Sequence, residues 1–168
     1  EYPGKIGQIK LFQQNGTAHP HAESYASLEV FRQQYGENPD DVAFELPCVF
    51  KFDWGGEGET VYLIDSREDL QDVLCITADF ERSGQKGFLL QQYVPTQGRT
   101  LRVVTIGQRL ISYWRILRDA QAFKSSVSQG ARIDAAVAPD RQQAAMEFVR
   151  GFCSKTGINL AGFDVIFA

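Results

Sequence analysis

Lys51 interrupts an apolar run in "FKFDWGGEGETVYLID", residues 50 to 65, and Gly55, Gly56 and Gly58 follow at once. A lysine beside clustered glycines suits phosphate: the ammonium supplies charge, and a backbone without side chains brings its N–H groups close. A nucleotide P-loop needs its lysine after the glycines, opening a helix, and here a strand follows. A dinucleotide-binding turn also needs a helix there. The protein-kinase arrangement puts its lysine on the next strand and requires H-R-D and D-F-G, which are absent. What remains is a strand, a lysine, a glycine loop and a strand, folded over a polyphosphate. The alternative is a plain hairpin whose lysine snorkels to water.

Other segments add to this. "FLLQQYVPTQG" is a strand stopped by Pro95, and a strand end offers backbone groups able to read a base edge. Arg102 and Arg115 lie inside apolar strands, where an unpaired guanidinium is costly, so each needs a carboxylate partner or an anionic ligand. Asp164 interrupts the apolar "AGFDVIF"; it is either a hydrogen-bonded core acid or a Mg²⁺ ligand. His19 and His21 flank Pro20, as at a surface strand end.

The positioning elements follow from periodicity and caps. "PGKIGQIKLFQQNG" reads as a helix with Ile6, Ile9 and Phe12 on one face, ended by Gly16. "SLEVFRQQYG" and "SREDLQDVLCITADF" are helices capped by Ser27 and Ser66. "PDRQQAAMEFVRGFCSKTG" runs from Pro139 to Gly157. "LPCVFKF", "TVYLID", "GFLLQQYV", "TLRVVTIG", "RLISYWRIL" and "LAGFDVIFA" read as strands, with Gly107-Gln108 as a tight hairpin and "FKSSVSQGARID" as a polar loop. The fold class expected is α+β with antiparallel hairpins.

The 168 residues suit one domain, or one compact domain with a small lobe, and a net charge of −4 without basic runs argues against nucleic-acid or anionic-membrane partners. No apolar run reaches the roughly 18 residues of a membrane span. Cys48, Cys75 and Cys153, with no C-x-x-C spacing, read as buried thiols of a reducing, cytoplasmic compartment.

Taken in order, these segments resemble the ATP-grasp superfamily, and within it the ribosomal-protein glutamate ligase and glutathione synthetase type, over nearly the whole chain. "PCVFKFDWGGEGETV" and "LLQQYVPTQGRTLRVVTIGQRLISYWRI" carry the resemblance most clearly. It implies two lobes of antiparallel sheet packed with helices: a small lobe near 22–93, a large lobe near 94–168 joined by the N-terminal helix, and a nucleotide cleft between them. It further implies ATP and Mg²⁺, and ligation of a small-molecule or peptide carboxylate to an amine through an acyl phosphate. Lys5 would reach the nucleotide, Lys51 would hold the α/β-phosphates, and Gly55, Gly56 and Gly58 would cover them. Gln91, Gln92, Tyr93 and Val94 would contact adenine, and Thr100 stands at the ribose position. Arg102, Arg115 and Lys124 would stabilise the transferring phosphate and the carboxylate, and Asp164 would bind Mg²⁺.

The chain departs from the family pattern at Gln92 and Thr100, where acids are usual, and at Lys124 and Ser126, where Arg and Asn are usual. The loop acids Asp53, Glu57 and Glu59 stand near the expected phosphates. A nucleotide-binding regulatory or interaction module that has lost turnover is therefore the alternative. The metal-completing strand after Ala168 and the upstream substrate domain are expected outside this sequence, leaving residues 161 to 167 as an apolar edge that favours homo-oligomers.

Overall fold

The computed structural model describes residues 3–56, 58–117 and 131–167. Lys124 and Ser126, with most of the segment read as a polar loop, lie outside the described residues, as does Glu57. The chain divides into two compact units, 1–93 and 94–168.

The first unit is an antiparallel sheet of β1 (Ala22–Tyr25), β2 (Cys48–Phe52), β3 (Val61–Ile64) and β4 (Phe88–Gln92), in the order β1-β4-β2-β3. Successive side chains of a strand point to opposite faces. On one face Cys48, Phe50, Phe52, Phe88 and Leu90 meet α2 (Leu28–Tyr35) and α3 (Arg67–Arg82) through Leu28, Phe31, Leu70 and Val73. Phe50 and Phe88, both fully buried, stack with centroids 4.8 Å apart. On the other face Leu89 and Ala22 meet Ile9, Ile6 and Phe12 of α1 (Gly4–Gln14).

That packing corrects one expectation. The N-terminal helix belongs to the first unit, not with residues 94–168, because its apolar face is buried on β4 and β1.

Caps form as the residue types require. Ser27 Oγ accepts from Val30 N–H at 3.3 Å, and Gly36 follows α2 at φ +75°. Ser66 and Asp69 make a reciprocal capping box at the start of α3. The burial stripe of α3 is Leu70, Val73, Leu74 and Thr77. Cys75 falls off that stripe and is exposed, which corrects the reading of three buried thiols. Cys48 is buried, and burial pushes its thiol up to about 11.

The second unit is an antiparallel sheet in the order β7-β6-β5-β8, with β5 (Arg99–Ile106), β6 (Arg109–Ile116), β7 (Arg132–Asp134) and β8 (Leu160–Val165). The β5–β6 turn is Gly107-Gln108, with Gly107 at φ +60°. Helix α4 (Pro139–Thr156) covers one face, burying Ala145 and Val149 against Leu101, Val103 and Trp114. β7 lies within the segment read as loop: Arg132–Asp134 pairs with Trp114–Ile116, and the strand follows from that partner, not from its own three residues.

Two tyrosines meet one acid beside the first core. Glu23 accepts from Tyr25 Oη at 2.6 Å and Tyr35 Oη at 2.8 Å. The Tyr25 hydrogen bond is the main reason the Glu23 carboxyl is held below its ordinary range; partial burial opposes it, while Tyr35 and His21 assist. Burial, and then the same carboxylate, raise the Tyr25 phenol. Because Glu23 is depressed in the folded state, its contribution is present above the unfolded value and lost as pH falls through the folded one. Tyr35→Phe removes one donor, so acid unfolding of the first unit, followed by tryptophan fluorescence between about pH 6 and 3, should begin at higher pH. Phe88→Ala should lower stability to urea by about 3–5 kcal/mol, read from the same unit's unfolding midpoint.

Candidate functional site

Lys51 stands between Phe50 and Phe52 on β2, so the pleat directs it to the face opposite α2 and α3. Gln91 on β4 shares that face. Lys51 lies directly across from Leu89, and Gln91 is the next residue of β4 on the same side. Lys51 Nζ donates to Gln91 Oε1 at 2.5 Å. Two residues expected to touch different parts of a nucleotide are thus brought together. Gln92, one residue on, is exposed; its Oε1 accepts from His21 N–H at 3.3 Å, so that amide oxygen already has a donor. The division between the units falls between Tyr93 and Val94, inside the stretch expected to read adenine.

The glycine loop is tied to its own unit. Trp54 stacks on Phe52 at 5.0 Å and meets Phe80 edge-on at 4.5 Å. Thr60 Oγ1 donates to Trp54 O at 2.7 Å. Gly55 and Gly58 have φ of +77° and +82°, the left-handed region that glycine adopts without strain. Gly56 has no such requirement, and a Cβ there would meet nothing. Lys5 Nζ donates to Trp54 O at 2.7 Å, Gly55 O at 3.1 Å and Thr60 Oγ1 at 3.2 Å. Lys5, expected to reach the nucleotide, has its ammonium engaged by the loop. Burial lowers its pKa, and Asp53 partly opposes that shift.

In the second unit Arg102, Arg115 and Asp164 come together. Asp164 on β8 is directly across from Arg102 on β5, and Arg115 on β6 is across from Thr100, two residues along on the same face. That face is opposite α4. Arg102 Nη1 lies 3.1 Å from Asp164 Oδ2, and Arg115 Nη2 donates to Asp164 Oδ1. Arg102 lies over Gly162: a Cβ at that position would overlap Arg102 Nη2. Arg115 Nε is buried and makes no hydrogen bond. Two guanidinium groups against one carboxylate leave an excess positive charge, which suits a further oxyanion.

Mg²⁺ wants about six oxygens in near-octahedral geometry. Asp164 has both carboxylate oxygens engaged by arginines, and no group of three or more His, Cys, Asp or Glu that could hold a metal occurs among the described residues. The described residues therefore do not by themselves fit Mg²⁺. The cations and the glycine loop do fit phosphates: Lys51 is half-buried on the sheet face that α1 packs against, and Gly55 admits no side chain, since a Cβ there would be 2.5 Å from Thr60 Cγ2.

Sequence reasoning missed Thr60 and misjudged Asp53. Asp53, grouped there with the loop acids near the expected phosphates, accepts from Ile6 N–H at 2.7 Å through Oδ1. The missing signal is long-range, since the donor is a backbone amide 47 positions away. Among the described residues no helix is long and apolar enough to cross a membrane.

No curated protein matches the chain in sequence. Solved structures do share its fold. An ADP complex of N5-carboxyaminoimidazole ribonucleotide synthetase superposes with a TM-score of 0.67 at 12% identity, over 98% of this chain and 41% of that one. An L-amino acid ligase from Bacillus licheniformis gives 0.61 at 16% identity, over 95% and 35%. A RimK domain protein ATP-grasp from Sphaerobacter thermophilus gives 0.60 at 16% identity, over 98% and 53%. The chain thus spans about half or less of these proteins. A family model, the RimK-like ATP-grasp domain, matches residues 5–168, and with nearly the whole sequence covered the chain belongs to that family.

Proposed function

We propose that the chain is the ATP-binding part of an ATP-dependent carboxylate–amine ligase. The observation that carries this reading is the pairing of Arg102 and Arg115 on one carboxylate, on the sheet face that α4 leaves open. ATP, when bound, supplies the γ-phosphoryl group: a carboxylate oxygen attacks its phosphorus, ADP leaves, and an amine then displaces phosphate from the acyl carbon. Lys51, aligned by Gln91, neutralises the α/β-phosphates, and Gly55, Gly56 and Gly58 let the loop backbone approach them. The strand end from Gln91 to Val94 meets the adenine edge, and Thr100 the ribose. Arg102 and Arg115, with Lys124, stabilise charge on the transferring phosphate and orient the carboxylate. Asp164 holds the two guanidinium planes.

A second reading, a nucleotide-binding module without turnover, is favoured by Asp164, whose oxygens both serve arginines. ADP release on adding a carboxylate and an amine separates the two. Release that depends on both supports the ligase; ATP binding without release supports the module.

A charge-assisted hydrogen bond to phosphate contributes roughly 1.5–3 kcal/mol. Lys51→Ala should accordingly weaken ATP binding about 10- to 100-fold in calorimetry while the circular dichroism spectrum is unchanged. Unchanged affinity would remove Lys51 from the site.

Gly162→Ala tests the arginine pair. The new methyl displaces only the mobile end of Arg102, and exposed ion pairs of this kind contribute under about 1 kcal/mol, so thermal stability should change little. Turnover should fall, because Arg102 can no longer lie across Gly162 to reach Asp164. Full turnover in this variant would show that the Arg102 geometry is dispensable.

A further inference from the structure

Helix α1 begins without a cap of its own. Pro3 precedes it, no side chain caps its first turn, and that turn holds no acid. Asp53 fills this role from across the sheet. Its Oδ1 accepts from Ile6 N–H at 2.7 Å, and its backbone oxygen accepts from Lys5 N–H at 3.3 Å. Asp53 is itself fixed through its N–H to Gly87 O at 2.9 Å. Gly4 sits at φ +66°, and a Cβ there would be 2.5 Å from Asp53 Oδ1, so the carboxylate is seated directly against the helix start. A carboxylate there also meets the positive end of the helix dipole.

From that anchored helix, Lys5 reaches back to the glycine loop. Its ammonium has three hydrogens, and Trp54 O, Gly55 O and Thr60 Oγ1 accept them. The Thr60 hydroxyl gives its hydrogen to Trp54 O, so a lone pair is left facing Lys5. Thr60 is buried at 7% exposure, and its methyl fills the space a Gly55 side chain would need. Asp53, Lys5 and Thr60 thus connect the helix start to both ends of the loop.

We propose that Asp53 and Thr60 are positioning residues that act through Lys5 to hold the glycine loop in its phosphate-receiving shape. This rests on the phosphate-binding reading given above. Glycine loses more backbone freedom on ordering than any other residue, so a loop with several glycines carries a large ordering penalty. A latch set before the ligand arrives removes that penalty from binding, and preorganisation of this kind raises affinity. The gain is confined to ligands whose phosphates meet the loop.

Thr60→Val keeps the shape of the side chain and removes the hydroxyl; Thr60→Ser keeps the hydroxyl. Hydrogen exchange of the amides at 54–60 is measured without ligand, and affinities for ADP and adenosine are measured by titration. Thr60→Val should speed exchange about tenfold and weaken ADP about tenfold while adenosine affinity holds. Thr60→Ser should behave as the parent. Parent-like exchange in Thr60→Val overturns the latch, and faster exchange with an unchanged ADP-to-adenosine ratio overturns the positioning role. Failure of the parent itself to prefer ADP over adenosine refutes the phosphate reading and the positioning role with it, while the exchange rates still decide whether the latch exists.

Discussion

Phe50 and Phe52 take the covered side of β2, and the pleat of the strand sends Lys51 to the other side. The same constraint acts on β4, where Phe88 and Leu90 enter the core while Leu89 and Gln91 face away from it. The antiparallel register then brings the Gln91 side-chain amide oxygen within reach of Lys51. A slip of one residue would carry Lys51 in among phenylalanines and Phe50 out to the opposite face. A buried, uncompensated ammonium costs several kcal/mol, so the aromatic core holds the register of the candidate site as well as the fold.

The second sheet uses the same division with different charges. Leu101, Val103 and Trp114 lie under α4, which leaves Arg102, Arg115 and Asp164 on the open face. The cations of the two units differ in what they have left to offer. Lys5 has its three ammonium hydrogens accepted by loop oxygens, and Lys51 is aligned by a neutral amide. Arg102 and Arg115 share one carboxylate between five-donor groups, and Arg115 retains a buried Nε without an acceptor. Charge that exceeds its internal partner, held on a rigid sheet, is the arrangement that stabilises a developing oxyanion with little reorganisation.

Local chemistry in the sequence foretold most elements. Ser27, Ser66 and Gly157 mark helix ends because their side chains or φ values act within a few residues. The shared face of Arg102, Arg115 and Asp164 was also legible, since polar positions inside apolar strands inherit the strand's alternation. β7 was not: Arg132, Ile133 and Asp134 carry no periodicity of their own and become a strand by pairing with β6. The home of α1 was equally hidden. Ile6, Ile9 and Phe12 announce an apolar face, but nothing in them says whether β4 or the second sheet receives it.

Asp53 shows how far a residue's role depends on a partner without a side-chain signature. Beside Glu59 in the sequence it reads as one of several acids that would repel each other and any phosphate. In the structure it caps the start of α1, and the repulsion is offset by the Ile6 N–H on its carboxylate and by the helix dipole. That exchange has a consequence for cooperativity. Helix α1 lacks a cap without Asp53, and Lys5, on the first turn of α1, is placed to bind the loop only while that turn is formed. Fraying of the helix start would therefore withdraw the Lys5 ammonium from Trp54 O, Gly55 O and Thr60 Oγ1, so that the Asp53 carboxylate bears on the glycine loop as well as on the helix.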